Sequence, residues 1–516
     1  MNNNSIILFF LLLSQISFSQ ESTYRNPIIA GDFPDPTVIR VGDTYYAAGT
    51  SAEWAPPYRL YESKDLVNWT FLGGLFNNVP EWTHGSFWAP ELFYRNGTFY
   101  VYYTARRKRD RKSFIGVATT DDIRKGFTDH GVIVEWTNEA IDAFAIEIDG
   151  KPYLTWKAYG LDNDRNIEIL GAELTSDGLA LAGEAFTLVE AETNTWEAGG
   201  IEGQCIVKHG DYLYMFYAGN NCCGVNCNYM TGVARAKSIK GPWEKYKGNP
   251  ILTGDEHWRC TGHGTLVATP NNRYFYLYHA YRGTTGIYTG RQGMMDEIVW
   301  DDATGWLHFR YGTTASLQAE TPVKGTQQSS VGNFEDNFDS DQLNHEWMWD
   351  ATLPKPEYSF SDSKLALKGK DTPVGSFLGL RPRRSDYLMI ATLDVVGAPA
   401  GICLYGTRNN AIGLSVRNSS LELWQISDGT RKLLLTKPFK LATVTIFLEV
   451  TFAQYCRFGY VNEEGASAYI GDPIHVQGLP QWDRSAMPGI NIKGLNIGRF
   501  NSVKLEYDFR MPKIGM

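Results

Sequence analysis

The amino-acid sequence predicts an all-β protein, a five-bladed β-propeller followed by a β-sandwich domain. A short polar turn followed by a strand rich in Tyr and Phe occurs five times, and successive turns begin 53 to 62 residues apart. That interval fits a propeller blade of four strands, and no stretch shows sustained helical periodicity. The five copies occupy residues 42–46, 96–100, 149–153, 210–214 and 272–276.

The domain boundaries follow from where this repeat stops. The pattern ends after residue 309, and a polar segment rich in Thr, Gln, Ser and Gly follows. We therefore predict a propeller over residues 21–318, a linker over 319–333 and a second domain over 334–516. The second domain contains short strands, such as 421–425 and 444–450, without a repeat, which is typical of a β-sandwich.

The N-terminus is typical of a signal peptide. Residues 1–20 contain an apolar run at 6–13, followed by the small-x-small pattern Ser17-Phe18-Ser19. No other apolar stretch approaches the roughly 20 residues that a membrane-spanning helix needs. The sequence therefore predicts cleavage of residues 1–20, export to the periplasm or the extracellular space, and no membrane anchor.

Charge and composition restrict the partners. The chain of 516 residues has a formal net charge of -9, so it lacks the basic footprint expected for binding nucleic acid or anionic lipid. Aromatic residues make up 14% of the chain, and flat rings stack on the apolar faces of sugars. A neutral glycan fits this balance, and nothing in the sequence implies a protein partner.

Seven cysteines, an odd number, leave at least one without a partner in the chain. In an exported protein we expect a disulfide within the cluster of Cys222, Cys223 and Cys227, whose connectivity the sequence leaves open. The alternative is a zinc site made by this cluster with Cys260 and His263, although the spacing matches no standard zinc module.

Ionisable residues lie at similar positions before the five repeated turns: Asp35, Glu91, Asp142, Glu202 and His263. Because the innermost strand of each propeller blade lines the central channel, these side chains are expected to converge. Glycosidic cleavage needs one carboxylic acid to protonate the leaving oxygen and one carboxylate to activate water or attack the sugar. Crowding and burial would keep one of the acids protonated near neutral pH.

Short motifs around these residues resemble glycoside hydrolase family 43, in order and spacing, across about residues 24 to 318. The motifs are Asn26-Pro27-Ile28-Ile29, Asp32-Phe33-Pro34-Asp35-Pro36, Trp88-Ala89-Pro90-Glu91, Ile141-Asp142-Ala143, Ile201-Glu202-Gly203, Gly262-His263-Gly264 and Gly290-Arg291-Gln292.

The resemblance implies a role for each matching residue. Asp35 would be the general base, Asp142 would orient it and tune the pKa of the acid, and Glu202 would be the general acid. The family inverts anomeric configuration. His263 resembles a histidine beside a structural calcium ion held mainly through water, and Arg291 resembles an arginine that contacts the base and the sugar hydroxyls.

The resemblance extends to the second domain, whose start at Phe334 is similar to the β-sandwich of β-xylosidase-like members. In those members the sandwich packs against the propeller and can lend a loop to the active-site rim, so the resemblance implies a similar arrangement here. Two positions depart from the common pattern: Ala143 replaces a frequent Pro, and Gln204 interrupts a frequent Gly-Pro. Phe33, Trp54 and Trp88 are candidate sugar-stacking residues, with core packing as the alternative for each.

These features predict an inverting exo-glycosidase that releases L-arabinofuranose or D-xylose from plant polysaccharides or oligosaccharides. An exo-galactanase of the same family and a non-catalytic glycan-binding propeller are the alternatives. A retaining fructan-acting enzyme would be expected to carry an Arg-Asp-Pro motif, which is absent here. No cofactor is needed for the chemistry.

Overall fold

A computed structural model describes residues 22–159, 166–283, 288–476 and 478–508. The predicted signal peptide lies outside these residues. The prediction of an all-β protein is confirmed. One turn of 3-10 helix, Ile123–Lys125, follows the N-cap residue Asp122, whose side chain accepts a hydrogen bond from the Arg124 amide.

Within its described residues, the N-terminal unit contains five four-stranded antiparallel sheets, each built from strands close in sequence. The first sheet and its surroundings comprise β1 (Thr23–Arg25), β2 (Thr37–Val41), β3 (Thr44–Gly49), β4 (Trp54–Ala55), β5 (Arg59–Ser63) and β6 (Thr70–Gly74). The second sheet comprises β7 (Trp88–Arg95), β8 (Thr98–Arg106), β9 (Ser113–Thr120) and β10 (Thr128–Val134). The third comprises β11 (Ala140–Ile148), β12 (Lys151–Ala158), β13 (Glu168–Glu173) and β14 (Phe186–Glu190).

Two further sheets complete this unit. The fourth comprises β15 (Ile201–His209), β16 (Tyr212–Gly219), β17 (Met230–Ala236) and β18 (Glu244–Lys245). The fifth comprises β19 (Trp258–Ala268), β20 (Tyr274–Arg282), β21 (Arg291–Asp301) and β22 (Trp306–Phe309). The innermost strands contact one another in the order β2, β7, β11, β15 and β19, and β19 contacts β2. The sheets therefore lie in a ring, the arrangement of a propeller.

The repeated turns connect the first two strands of each sheet. Asn96 and Gly97 both have positive φ, at 51° and 85°, and so do Asp149 and Gly150, at 49° and 81°. Asn-Gly and Asp-Gly pairs favour this conformation, which matches the twist of the flanking strands. The sequence signal that recurs five times is thus the tight hairpin at the start of each sheet.

The C-terminal unit is a sandwich of two antiparallel sheets that enclose one large apolar core. The last strand of the N-terminal unit is β23 (Gln318–Glu320). The strands of the C-terminal unit are β24 (Phe334–Asp336), β25 (Trp349–Asp350), β26 (Tyr358–Ser361), β27 (Lys364–Lys368), β28 (Ser376–Gly379), β29 (Tyr387–Asp394), β30 (Ala400–Thr407), β31 (Asn410–Arg417), β32 (Ser420–Ser427), β33 (Thr430–Pro438), β34 (Thr443–Thr451), β35 (Tyr455–Val461), β36 (Ser467–His475), β37 (Met487–Ile492) and β38 (Ile497–Glu506). One sheet has the order β26-β27-β38-β29-β34-β35-β36, with β24 also on β38, and the other has the order β28-β37-β30-β31-β32-β33.

Pairing in the N-terminal unit extends beyond its expected end at residue 318. Strand β23 pairs with β1 through Glu320, opposite Thr23. The segment expected to be a linker, 319–333, also lies against this unit, because Gln328 exchanges hydrogen bonds with the Arg25 backbone and the Ser329 amide donates to Asn68. The described part of the connection is thus hydrogen-bonded to the first unit.

The two units share a buried interface. Strand β25 of the C-terminal unit pairs with β4. The Arg59 guanidinium is buried, lies 3.7 Å from the Phe71 ring centroid, and pairs with Glu346 at 2.8 Å. Glu346 also pairs with Arg383. Among the described residues, no helix has the length and apolar character needed to cross a membrane.

The buried pair of Arg59 and Glu346 should contribute strongly to the stability of the protein. Replacing Glu346 by Ala leaves the buried Arg59 charge without its counter-ion. We therefore expect the free energy of unfolding to fall by about 3–5 kcal/mol, as measured by urea denaturation monitored by tryptophan fluorescence. Glu357→Ala is the matched control, because its pair with Lys368 at 2.7 Å is more than half exposed on both sides and should contribute nothing measurable. Equal effects of the two substitutions would contradict this interpretation.

Candidate active site

Four of the five innermost strands described, β7, β11, β15 and β19, carry a β-bulge at corresponding places. The pairing register shifts between Trp88 and Glu91, between Ile141 and Phe144, between Glu202 and Cys205, and between Gly262 and Thr265. Within each bulge one residue has positive φ, and these residues are Ala89, Asp142, Gly203 and His263. A bulge re-aims side chains at one point of a strand. Repeated around the ring, it directs side chains into a common centre.

The centre of the ring contains a cavity of about 230 Å³. Its lining residues come from the N-terminal unit and from one segment of the sandwich. They are Asp35, Trp88, Arg106, Glu139, Ile141, Asp142, Lys157, Glu202, Cys222, Cys223, His263, Arg291, Trp482 and Asp483. The structure thus brings together Asp35, Asp142, Glu202, His263 and Arg291, as the sequence analysis expected of them.

Asp35 is held as an anion. Its carboxylate accepts hydrogen bonds from Thr50 Oγ1 at 2.6 Å and from Arg291 Nη1 at 3.0 Å. Its backbone N–H donates to Nδ1 of His279 at 3.0 Å, and burial lowers the pKa of His279 to about 4, which keeps that ring neutral. Burial alone would raise the pKa of Asp35, but the Arg291 charge and the hydrogen bonds outweigh it and hold that pKa well below its usual range.

Asp142 and Glu202 have opposite pKa shifts. Burial and the neighbouring Glu202 charge raise the pKa of Asp142 well above its ordinary value. Burial also acts on Glu202, but the Lys157 ammonium at 2.8 Å and the Tyr229 hydroxyl at 2.8 Å both favour its anion, so the pKa of Glu202 is lowered. A proton retained by this pair in the free protein therefore lies on Asp142.

The backbone around these two carboxyls is tightly constrained. The Gly203 amide donates to Asp142 Oδ2 at 3.1 Å, and Gly203 has φ of 63°. A Cβ at Gly203 would lie 2.6 Å from Cγ of His263, so only glycine fits between Glu202 and the histidine ring.

Three cavity-lining side chains each have a buried polar atom without a hydrogen-bond partner among the described residues. These atoms are Nε of Arg106, Oε2 of Glu139 and Nε of Arg291. Leaving such atoms unbonded costs free energy, so the cavity is suited to water or to a ligand rich in hydroxyl groups.

His263 lies beside two carboxylates, with its Nδ1 3.4 Å from Asp142 Oδ2 and 3.6 Å from Asp35 Oδ1. Calcium requires six to eight oxygen ligands. Across the parts of the chain that the structure describes, no group of three or more His, Cys, Asp or Glu side chains could hold a metal ion. The residues present do not form a protein cage for calcium, and the calcium expected beside His263 stays a prediction.

The cysteine cluster forms two disulfides, Cys222–Cys223 and Cys227–Cys260. The zinc alternative is therefore wrong, because all four of these sulfurs are bonded to sulfur and none is available as a thiolate ligand. The remaining cysteines, Cys205, Cys403 and Cys456, are buried and unpaired.

The sandwich supplies one wall of the cavity. Asp483 is 1% exposed, and its carboxylate accepts a hydrogen bond from Trp88 Nε1 at 3.3 Å. Its backbone carbonyl accepts from Arg291 Nη2 at 3.3 Å. Trp482 lines the cavity and packs edge-on against Trp88, with ring centroids 5.8 Å apart.

Two expected sugar-stacking residues do not reach the cavity. Phe33 is buried against Tyr61 in the core of the first and fifth sheets. Trp54 is buried against Phe377 and Tyr405 of the sandwich. Their expected substrate contact is corrected to packing, in the core and at the interface respectively. Trp88 does line the cavity.

Glu91 also lies away from the cavity lining. Its carboxyl accepts a hydrogen bond from Thr37 Oγ1 at 2.7 Å, which joins the second sheet to the first. Burial raises the pKa of Glu91 to about 8. The structure thus places Glu91 at a contact between sheets and not among the cavity-lining residues, with which its position before the repeated turn predicts it to converge.

Four charged residues of the cavity lining were not predicted from the sequence: Lys157, Glu139, Arg106 and Asp483. Lys157 lies directly opposite Ile141 in the pairing of β11 with β12, and it interrupts an otherwise apolar run. A lysine in a buried strand needs an acidic partner. The lysine in this strand could therefore have been predicted as a site residue. Asp483 could not, because no sequence motif of the propeller lies near it.

Paired buried carboxyls in a polar cavity at the centre of a β-propeller define a protein of the glycoside hydrolase class. Residues 24–307 match glycosyl hydrolases family 43, and residues 335–481 match the β-xylosidase C-terminal concanavalin A-like domain. The chain belongs to glycosyl hydrolase family 43. The resemblance seen in the sequence is thereby confirmed.

Characterised relatives include both pentosidase types. The chain is 30% identical over 409 residues to a non-reducing end α-L-arabinofuranosidase of Bacteroides ovatus, covering 73% of this chain and 71% of that protein. It is 29% identical over 333 residues to a xylan 1,3-β-xylosidase of a Vibrio species, covering 58% of this chain and 60% of that protein.

Solved structures share the whole architecture. A Bacteroides ovatus xyloglucan-locus protein of family 43 superposes with a TM-score of 0.81 at 21% identity, over 94% of this chain and all of that one. A xylan β-1,4-xylosidase of Bacillus halodurans gives 0.82 at 22% identity, with the same coverage. At these identities the likeness shows the fold, a propeller followed by a sandwich.

The opposite pKa shifts of the carboxyls predict opposite effects of neutralisation on stability. The raised pKa of Asp142 means that at neutral pH the folded protein must bind a proton there that the unfolded chain has lost, which costs free energy. This penalty disappears as pH falls below the ordinary carboxyl pKa, where Asp142 is protonated in both states. Asp142→Asn should therefore stabilise the protein at pH 7 by about 1 kcal/mol, which raises the melting temperature of a unit this large by roughly 1–2 °C, with a gain that shrinks in acid.

Asp35→Asn is the matched control for this experiment. The lowered pKa of Asp35 contributes stability above its ordinary value of about 3.9, and this contribution is lost as pH falls. The substitution should lower the melting temperature at pH 7. Calorimetry that gave the two variants shifts of the same sign would contradict the electrostatic assignment.

Proposed function

We propose that this chain is an inverting exo-glycosidase that releases L-arabinofuranose or D-xylose from plant polysaccharides or oligosaccharides. The observation that carries the proposal is the contrast between Asp35, whose carboxylate accepts hydrogen bonds from Thr50 and Arg291, and the neighbouring carboxyls Asp142 and Glu202, whose pKa values shift in opposite directions. Separate pKa environments for neighbouring acids are how glycosidases assign acid and base roles.

In this proposal Asp35 is the general base. Its hydrogen bonds to Thr50 and Arg291 fix the carboxylate and keep it ionised, so it can take a proton from water as the water attacks the anomeric carbon. Glu202 is the general acid that protonates the departing oxygen. Asp142 stores the proton beside Glu202 in the free protein and positions Glu202 through the Gly203 amide.

The size of the cavity and its wall from the sandwich support action at a chain end. A volume of about 230 Å³, closed on one side by Trp482 and Asp483, suits a single terminal sugar better than a long bound chain. Both pentosidase types occur among the relatives, so both sugars stay in the proposal.

We extend the proposal to architecture and location. The five sheets are the blades of a closed five-bladed propeller, supported by the contact of β19 with β2. The chain is exported, which the two disulfides support because such bonds persist in oxidising compartments.

The test compares hydrolysis of p-nitrophenyl α-L-arabinofuranoside and p-nitrophenyl β-D-xyloside, with the anomeric form of the first product read by proton NMR. Release of either sugar with inverted configuration supports the proposal. Activity on neither glycoside, nor on arabinan or xylan oligosaccharides, would leave the galactanase or the non-catalytic glycan-binding protein in its place.

The acid and base roles are separable by the leaving group. Asp35→Asn should lose a factor of about 10²–10⁴ in kcat/KM on aryl glycosides and on unactivated disaccharides alike, because both need an activated water. Glu202→Gln should lose that much on the disaccharide and far less on the aryl glycoside, because nitrophenolate departs without a proton. Equal losses of Glu202→Gln on both substrates would remove Glu202 from the acid role.

The last prediction of this section concerns Lys157. Removing its ammonium by Lys157→Met takes away the charge that favours ionised Glu202, so the pKa of Glu202 should rise and the basic limb of the kcat/KM profile should move to higher pH. Lys208→Met is the control, since its pair with Asp149 is largely exposed on both sides. An unmoved basic limb in Lys157→Met would contradict the role of Lys157.

A further inference from the structure

The loop 220–229 connects β16 to β17 and borders the cavity beside Glu202. Ala218, just before the loop, is the strand partner of Glu202. Tyr229, its last residue, donates its hydroxyl to Glu202 Oε1 at 2.8 Å. Both ends of the loop are thus fixed next to the carboxyl that we propose as the acid.

Cys222 and Cys223 form a disulfide between consecutive residues, and both line the cavity. The bond closes a small ring that includes the peptide unit between them. Consecutive side chains ordinarily point in different directions, so the bond forces both sulfurs onto one side of the chain. The result is a compact patch of polarisable sulfur that forms only weak hydrogen bonds.

The rest of the loop is anchored independently of this bond. The Cys227–Cys260 disulfide ties it to β19, and the Gly224 amide donates to the Tyr281 hydroxyl at 3.3 Å. Gly224 also packs against the backbone of Trp482, where an added Cβ would lie 3.6 Å from the carbonyl oxygen. Opening the Cys222–Cys223 bond would therefore change the cavity wall locally.

We infer that the Cys222–Cys223 disulfide forms the apolar wall of the sugar subsite, and that reducing it weakens substrate binding. This inference rests on the proposed function. Three polar side chains of the cavity lining, Glu139, Lys157 and Arg106, are suited to hydrogen bonds with sugar hydroxyls. The disulfide supplies a face for the C–H side of an uncharged sugar ring, where contact is made by dispersion.

Reduction converts the flat patch into two thiols that separate. The bond S–S is broken, each sulfur gains a hydrogen, and the phosphine reductant TCEP is oxidised to its phosphine oxide with an oxygen from water. Because this contact is made with bound substrate and transition state alike, its loss should raise KM about tenfold and leave kcat within about twofold.

The test measures KM and kcat on the preferred aryl glycoside with oxidised and TCEP-treated protein, after mass spectrometry has located both disulfides. Two paired variants assign the effect. Cys227→Ser with Cys260→Ser leaves Cys222–Cys223 as the reducible bond and should retain the response to TCEP. Cys222→Ser with Cys223→Ser should have a raised KM at the outset and no further response to TCEP.

Three results would overturn the inference: an unchanged KM after verified reduction, a response that follows the Cys227–Cys260 bond, or a fall in kcat at constant KM. Binding of D-xylose and L-arabinose, measured by tryptophan fluorescence, distinguishes failure of this inference from failure of the proposed function. If the protein has no hydrolytic activity but its sugar binding weakens on reduction, the proposed function is refuted and the role of the disulfide as the apolar wall is supported. Absence of both binding and hydrolysis in the oxidised protein refutes both.

Discussion

The guanidinium of Arg291 is the contact on which the site depends. One nitrogen binds the Asp35 carboxylate, another binds the Asp483 carbonyl, and the Arg291 backbone N–H donates to Asp32 at 2.9 Å. The first sheet, the fifth sheet and the sandwich therefore meet at a single residue. Because the Arg291 side chain is buried, its charge acts on Asp35 with little screening by water. The same residue therefore joins the fifth sheet to the segment before the first sheet and sets the charge of the proposed base.

A second constraint is the repeated bulge. Residues without glycine's freedom have positive φ at Asp142 and His263, an unfavourable conformation that persists where surrounding structure enforces it. Here regular pairing with the neighbouring strand resumes on both sides of each bulge, of β11 with β12 and of β19 with β20, and fixes the backbone between. The propeller thus uses one backbone irregularity, repeated in the second to fifth sheets, to present chemically different side chains at one place.

The extent of sequence-based prediction follows from these two features. Hairpin turns recur locally, so the all-β class and the position of Asp35, Asp142 and Glu202 relative to the turns were accessible from the sequence. The prediction that Trp54 stacks on sugar was wrong because its packing partners, Phe377 and Tyr405, are more than 300 residues away in the sequence. The pairing of Cys227 with Cys260 and the contact of Asp483 with Arg291 likewise depend on tertiary placement that no local pattern encodes.

The contribution of Asp483 to the cavity has a consequence for how the protein is made. During synthesis the first 320 residues leave the ribosome well before residue 483, and they contain every strand of the ring. A nascent chain that has folded its ring still has a cavity open on one side and an Arg291 guanidinium short of one acceptor. The completed cavity wall therefore appears only late in translation, and exchanging the sandwich for another domain would have to preserve this contact.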